Sequence, residues 1–127
     1  MSIKISFKKT IALNLIKNYV LFCDENFNVN NLRKYLSISE TSYISDLIKT
    51  SDLKKKLLVF KINSKKTIYI IPIKKNLLSS DFENLGGEFH KYINYNKKDD
   101  YVINSDSVKT KIKNFLGYFL HGLKLKS

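Results

Sequence analysis

The residues of this chain that could take part in chemistry are few and scattered. Cys23 is the only cysteine, and it lies inside the apolar run Tyr19–Cys23. A cysteine acts as a nucleophile or metal ligand through an accessible thiolate. One cysteine also provides neither a disulfide within the chain nor a cysteine-based metal site. The apolar surroundings favour a small buried core residue.

His90 and His121 are the candidates for general-base or metal-ligand chemistry. Both fall in helical patterns, and neither has an acidic or cysteine partner at the close spacing of a metal-binding motif. The adjacent acids Asp99 and Asp100 suggest a cation site, but neighbouring residues of a strand point to opposite faces, so a solvated turn is the better interpretation. The sequence therefore assigns no catalytic, cofactor-binding or metal-binding residue.

The four glycines do not form a phosphate-binding loop at the start of a helix; they are Gly86, Gly87, Gly117 and Gly122. Gly86 and Gly87 stand together inside a helical pattern, where each costs about 1 kcal/mol relative to alanine. Something must therefore require them. Close approach of the helix to a neighbouring element is one explanation, and a backbone contact with a ligand is the other.

The charge of the chain is strongly positive, since 23 Lys and Arg against 11 Asp and Glu give a net charge of +12. Such a charge attracts anionic partners such as nucleic acid. However, Arg33 is the only arginine, and the planar guanidinium is the more informative group for reading phosphates and base edges. Many lysines occur as scattered pairs and a triplet, mostly where turns or strand ends are expected: Lys8–Lys9, Lys54–Lys56, Lys65–Lys66, Lys74–Lys75 and Lys97–Lys98. This pattern is typical of solvated surface, with DNA binding as the alternative.

The length and composition of the chain fit one domain with one core, because its 127 residues are 43% apolar and 13% aromatic. No apolar stretch reaches the roughly 18–20 residues of a membrane span, and the amino terminus lacks the pattern of a signal peptide. We expect a cytoplasmic protein with no membrane contact.

Short apolar runs, and alternation of apolar with polar residues, predict the strands. Ser2–Phe7 alternates and predicts an edge strand, and Tyr101–Ile103 predicts a short strand. Three runs rich in Val, Ile and aromatic residues predict strands covered on both sides: Tyr19–Cys23, Leu57–Ile62 and Ile68–Ile73. Only Asn63–Thr67 separates the last two runs, which must form an antiparallel hairpin. Pro72 cannot donate a hydrogen bond, so we expect it at the end or on the unpaired side of its strand.

Helical spacing predicts elements between and after these strands. Two short helices are expected within Val29–Leu36 and Tyr43–Ile48. Ser80 and Glu83 have the spacing of a capping box and open a third helix. A long amphipathic helix is expected over Val108–Leu123.

The alternation of these elements predicts an α/β fold, a three-layer sandwich with a mixed sheet and helices on both faces, as one domain over residues 1–127. Six residues should be buried in the sheet: Val20, Phe22, Leu58, Phe60, Ile70 and Val102. The apolar face of the last helix is broader than one sheet needs. Residues from about Tyr118 onward should therefore be less buried than Ile112 and Phe115, because part of that face meets something outside the domain.

The order of these elements and the glycine pair resemble the amino-terminal domain of the leucyl (cytosol) aminopeptidase family. In that family a hairpin is followed by a helix with a Gly-Gly pair, a short strand, and a long helix ending in a Gly-Leu segment before the catalytic domain. Leu78–Gly87 is similar to the first segment and Phe119–Ser127 to the second. Ile71–Lys75 departs from the family, since many relatives have a glycine-rich turn after the second hairpin strand.

The resemblance implies a macro-domain-like, non-catalytic domain, with the catalytic domain expected beyond Ser127. The parent protein would release amino-terminal residues from peptides with two divalent metal ions, zinc or manganese. Its metal ligands and catalytic arginine would lie in the catalytic domain, so no residue of this chain inherits those roles and the chain itself is expected to hold no cofactor. Partners would be the catalytic domain and other subunits of a homo-oligomer, typically a hexamer.

Two alternatives stay open. One is a nucleic-acid-binding module, motivated by the net charge of +12 and by the DNA-binding roles of some bacterial relatives. The other is a nucleotide-binding domain, because the family's amino-terminal fold is related to macro domains that bind ADP-ribose. The lack of a glycine-rich loop at a helix start counts against the second.

Overall fold

The structure, a computed structural model, describes residues 16–51, 57–74, 78–93, 100–104, 107 and 115–126. The edge strand expected at Ser2–Phe7 and the first part of the expected terminal helix, including Val108 and Ile112, lie outside the described residues. Within these ranges, no helix is both long enough and apolar enough to span a bilayer.

The described strands form one four-stranded mixed sheet. They are β1 (Asn18–Asp24), β2 (Leu58–Asn63), β3 (Lys66–Ile73) and β4 (Tyr101–Ile103), in the order β2-β3-β1-β4. β1 pairs in parallel with both β3 and β4, while β2 and β3 are antiparallel. β1 therefore lies inside the described sheet, as expected for a run of continuous apolar residues.

Alternate side chains of β1 enter two different cores. Tyr19 and Leu21 belong to the cluster on one face of the sheet, and Val20 and Phe22 belong to the cluster on the other. Because successive residues of a strand point to opposite faces, one apolar run supplies both clusters. This arrangement confirms the predicted three-layer α/β sandwich.

The first cluster is covered by a 3₁₀ helix (Val29–Leu32) and by α1 (Ile38–Thr50). α1 begins with a complete capping box, in which Ser37 Oγ accepts the Glu40 amide at 3.1 Å and Glu40 Oε1 accepts the Ser37 amide at 2.9 Å. Glu40 Oε2 also lies 2.7 Å from Lys66 Nζ, which ties the start of α1 to the start of β3. The predicted pair of short helices is thus a 3₁₀ helix and one longer α-helix.

The second cluster is covered by α2 (Ser79–His90) and α3 (Phe115–Lys126). The capping box predicted at Ser80 and Glu83 is wrong. The residue that caps α2 is Leu78, whose amide donates to Asp81 Oδ2 at 2.8 Å. Leucine has no side-chain acceptor to cap the helix in return, so Asp81 alone supplies the side-chain contact, and Glu83 is left for another partner.

The strand predictions are confirmed within the described residues. Five of the six residues expected in the sheet core are buried, and Val102 is partly buried. Pro72 pairs in register with Cys23 on the β1 side, whereas the described pairing with β2 stops at Ile70. Pro72 therefore lies near the strand end and beyond the partner on one side, as expected for a residue without an amide hydrogen.

The exposure predicted for α3 is wrong at two positions. Phe119 and Leu123 are 0% and 3% exposed, against 4% for Phe115. Leu120 is partly buried and Leu125 is 64% exposed. The prediction failed at these two positions because α2 packs closely against α3 and covers Phe119 and Leu123 within the chain.

Candidate functional site

Cys23 is a core thiol rather than a nucleophile. It is partly buried at the end of β1, and Sγ donates to the Asp24 carbonyl at 3.3 Å. Burial, assisted by the negative charge of Asp24, raises the pKa of Cys23 to about 12. The thiol is therefore protonated at neutral pH, and the thiolate that chemistry requires is scarce.

The loop after β1 is held by Asp24. Its Oδ1 accepts the amides of Asn26 and Asn28, both at 3.0 Å, and its carbonyl accepts the amide of Phe27 at 3.1 Å. Phe27 has a φ of 54°, which is uncommon for a residue other than glycine, yet its side chain is 3% exposed and packs in the first core. These hydrogen bonds stabilise the turn, so the Asp24 carboxylate has a structural role.

The remaining candidates from the sequence do not converge on one site. Asp100 is exposed before β4, and its carbonyl accepts from Asn18 Nδ2 at 3.2 Å; Asp99 lies outside the described residues. His90 is partly buried at the end of α2. Among the described residues, no group of three or more His, Cys, Asp or Glu side chains could bind a metal ion.

Gly86 has the packing role that the sequence suggested as one of two explanations. A Cβ at Gly86 would lie 2.0 Å from the Phe119 carbonyl oxygen in α3. A Cβ at Gly122 would lie 1.8 Å from the Glu83 carbonyl oxygen in α2. Each helix thus places a glycine against the other helix's backbone, and only a residue without Cβ allows this separation.

A shallow groove beside this crossing brings together a carboxylate, a phenol and an imidazole. It has a volume of about 450 Å³ and is lined by Glu83, Gly117, Tyr118 and His121. His121 Nδ1 lies 3.2 Å from Glu83 Oε1. No local sequence pattern indicates this pair, because 38 positions separate the two residues.

A second depression of similar volume lies beside β2. Its described lining residues are Thr50, Ser51, Tyr92 and the stretch Leu57–Phe60. Val59 and Tyr92 are partly exposed there, at 38% and 44%. None of these described lining residues is acidic or basic, whereas the groove at Glu83 and His121 has a carboxylate and an imidazole, so that groove is the candidate for recognition of a charged group.

The positive charge of the chain is distributed unevenly. The described ranges contain 11 Lys and Arg and eight Asp and Glu, a net charge of +3. The other segments contain 12 lysines and three aspartates, a net charge of +9. Most of the lysines responsible for the net charge of +12 therefore lie outside the described ranges, and the full charge of the chain still bears on an anionic partner.

Comparison with protein-family models, with curated proteins and with solved structures found no match to this chain.

Proposed function

We propose that this chain is a non-catalytic accessory domain, equivalent to the amino-terminal domain of a leucyl aminopeptidase-type protein. In this proposal its role is assembly and the shaping of access to a separate two-metal catalytic domain in the cytoplasm. Zinc or manganese would be bound by that catalytic domain, and the full protein would be a homo-oligomer such as a hexamer. A macro-domain-like fold belongs to the same proposal.

The packing of α2 on α3 is the observation that supports this proposal best. The resemblance depends on two segments, Leu78–Gly87 and Phe119–Ser127. Gly86 of the first contacts Phe119 of the second, and Gly122 of the second contacts Glu83 of the first. The two segments therefore depend on each other sterically, which gives a physical reason for a glycine in both.

The chemistry of the described residues also supports an accessory role. The only cysteine is a protonated core thiol, and Asp24 is committed to its own turn. Glu40 is committed to a helix cap and an ion pair. A nucleic-acid-binding role is the alternative, and the net charge of +12 is the observation that favours it.

Two measurements test the proposal. The purified chain, supplied with zinc or manganese, should show no turnover of leucine amide, because a metallopeptidase needs a convergent ligand set. The reading frame beyond the codon for Ser127 should continue into a domain with clustered acidic metal ligands. A stop codon there, or chelator-sensitive turnover by the repurified chain, contradicts the proposal.

A further inference from the structure

The groove between α2 and α3 combines a carboxylate, an aromatic ring and a glycine that leaves the α3 backbone accessible. Glu83 comes from α2, and Gly117, Tyr118 and His121 come from α3. Within 4 Å of a Cβ built at Gly117 there is no neighbouring atom of the described residues, so this part of the chain leaves the space above Gly117 open. The groove can thus admit a flat group alongside the α3 backbone.

Glu83 differs from Glu40, which among the described residues also contacts a distant element through its carboxylate. Glu40 uses Oε1 for the Ser37 amide and Oε2 for Lys66. Glu83 Oε1 faces His121 Nδ1, and no hydrogen bond to Oε2 is present among the described residues. The Glu83 side chain is 32% exposed, so His121 holds a carboxylate that a ligand can still reach.

A cationic ligand would complement the negative charge of Glu83 in this groove. None of its four described lining residues is Lys or Arg, although the chain carries a net charge of +12. A guanidinium is planar, donates two parallel hydrogen bonds to a carboxylate, and stacks on aromatic rings. Tyr118 supplies such a ring beside Glu83.

We propose that this groove binds an arginine side chain of a partner polypeptide. Glu83 accepts the guanidinium hydrogen bonds, Tyr118 contacts its face, and His121 positions the carboxylate. This inference rests on the groove alone and does not depend on the proposed aminopeptidase role.

The probe for this site is N-acetyl-argininamide, which has the arginine side chain as its only charge. Added to the full chain at pH 7.5, it should shift the His121 ring signals in the NMR spectrum saturably. The His90 signals serve as the internal reference, because His90 does not line the groove. N-acetyl-norleucinamide, which is uncharged, should shift neither histidine.

Three variants make the test specific. Glu83→Gln should weaken binding about tenfold or more, because a charge-assisted bidentate contact is lost. Glu88→Gln, the same change on the same helix at the Lys91 pair, should bind as the wild type does. Gly117→Leu fills open space in a helix and should fold, yet it should also weaken binding. An unmoved His121 signal, equal binding by Glu83→Gln, or an equal shift with N-acetyl-norleucinamide would overturn the proposal.

Discussion

Glu40 carries out two tasks with its two carboxylate oxygens. Oε1 completes the capping box of α1, and Oε2 forms the ion pair with Lys66. Burial alone would raise the pKa of Glu40. The hydrogen bonds from Lys66 and the Ser37 amide, with the positive charge of Lys66, outweigh that effect and lower the pKa below its ordinary value of 4.5. The ionised form is therefore the one that the folded state stabilises.

Glu40→Gln should lower the free energy of unfolding at pH 7 by about 1–2 kcal/mol, because the side chains of Glu40 and Lys66 are only 11% and 18% exposed. A carboxylate with a lowered folded pKa contributes stability that is present above its unfolded pKa and is lost as the pH falls through its folded pKa. The difference between wild type and variant should thus be constant above about pH 5 and shrink below pH 4.5. Urea unfolding across this range measures it.

The matched control is Glu88→Gln, which removes an exposed pair with Lys91. An exposed ion pair contributes roughly 0–1 kcal/mol. A pH-independent difference for Glu40→Gln, or an equal loss in both variants, would contradict the assignment of Glu40 as a clamp between α1 and β3.

At the scale of elements, the crossing of α2 and α3 depends on two glycines that point at backbone atoms. Each contact is between a helix surface and a carbonyl oxygen of the other helix, which cannot rotate away as a side chain would. A ring cluster continues the interface, with Phe22 in edge-to-face contact with Phe115 and Phe119. Close helix approach and aromatic packing therefore stabilise the same layer.

Gly122→Ala and Gly86→Ala should each destabilise the protein by about 2–4 kcal/mol, because the new methyl group forces the two helices apart. The two losses should not add, since one separation of the helices relieves both clashes. Gly117→Ala is the control; its methyl group meets no atom of the described residues within 4 Å, and it should stabilise α3 by about 1 kcal/mol. Urea unfolding of the wild type, the three single variants and the Gly86→Ala/Gly122→Ala double variant tests this. If Gly122→Ala is as stable as the wild type, α2 and α3 lie farther apart at this crossing than the structure shows.

The strands could be predicted from the sequence because burial on both faces produces continuous apolar runs, as in Tyr19–Cys23 and Ile68–Ile73. The start of α2 could not be predicted, since Leu78 is an unusual capping residue and Ser80 with Glu83 has the spacing of a capping box. The contacts between α2 and α3 could not be predicted from the sequence either. Gly86 signalled that some close approach was needed, but its partner on α3 is set by tertiary packing, and so is the pairing of Glu83 with His121.

At the scale of the whole molecule, β1 joins two cores into one folding unit. Phe22 is fully buried in the cluster under α2 and α3, and Ile44 is fully buried in the cluster under α1. Both clusters take residues from β1 and β3, so loss of either core exposes the strands that support the other. The described elements should therefore unfold together.

Phe22→Leu and Ile44→Val test this cooperativity from opposite faces of the sheet. Removing buried atoms should cost about 1–2 kcal/mol for the first and about 0.5–1.5 kcal/mol for the second. Each variant should move one thermal transition to lower temperature, with far-UV and near-UV circular dichroism changing together. The double variant should lose the sum of the two effects to within about 0.5 kcal/mol, because the residues belong to different clusters. If Phe22→Leu instead shifts the near-UV transition and leaves a separate far-UV transition in place, the two cores unfold independently and β1 does not couple them.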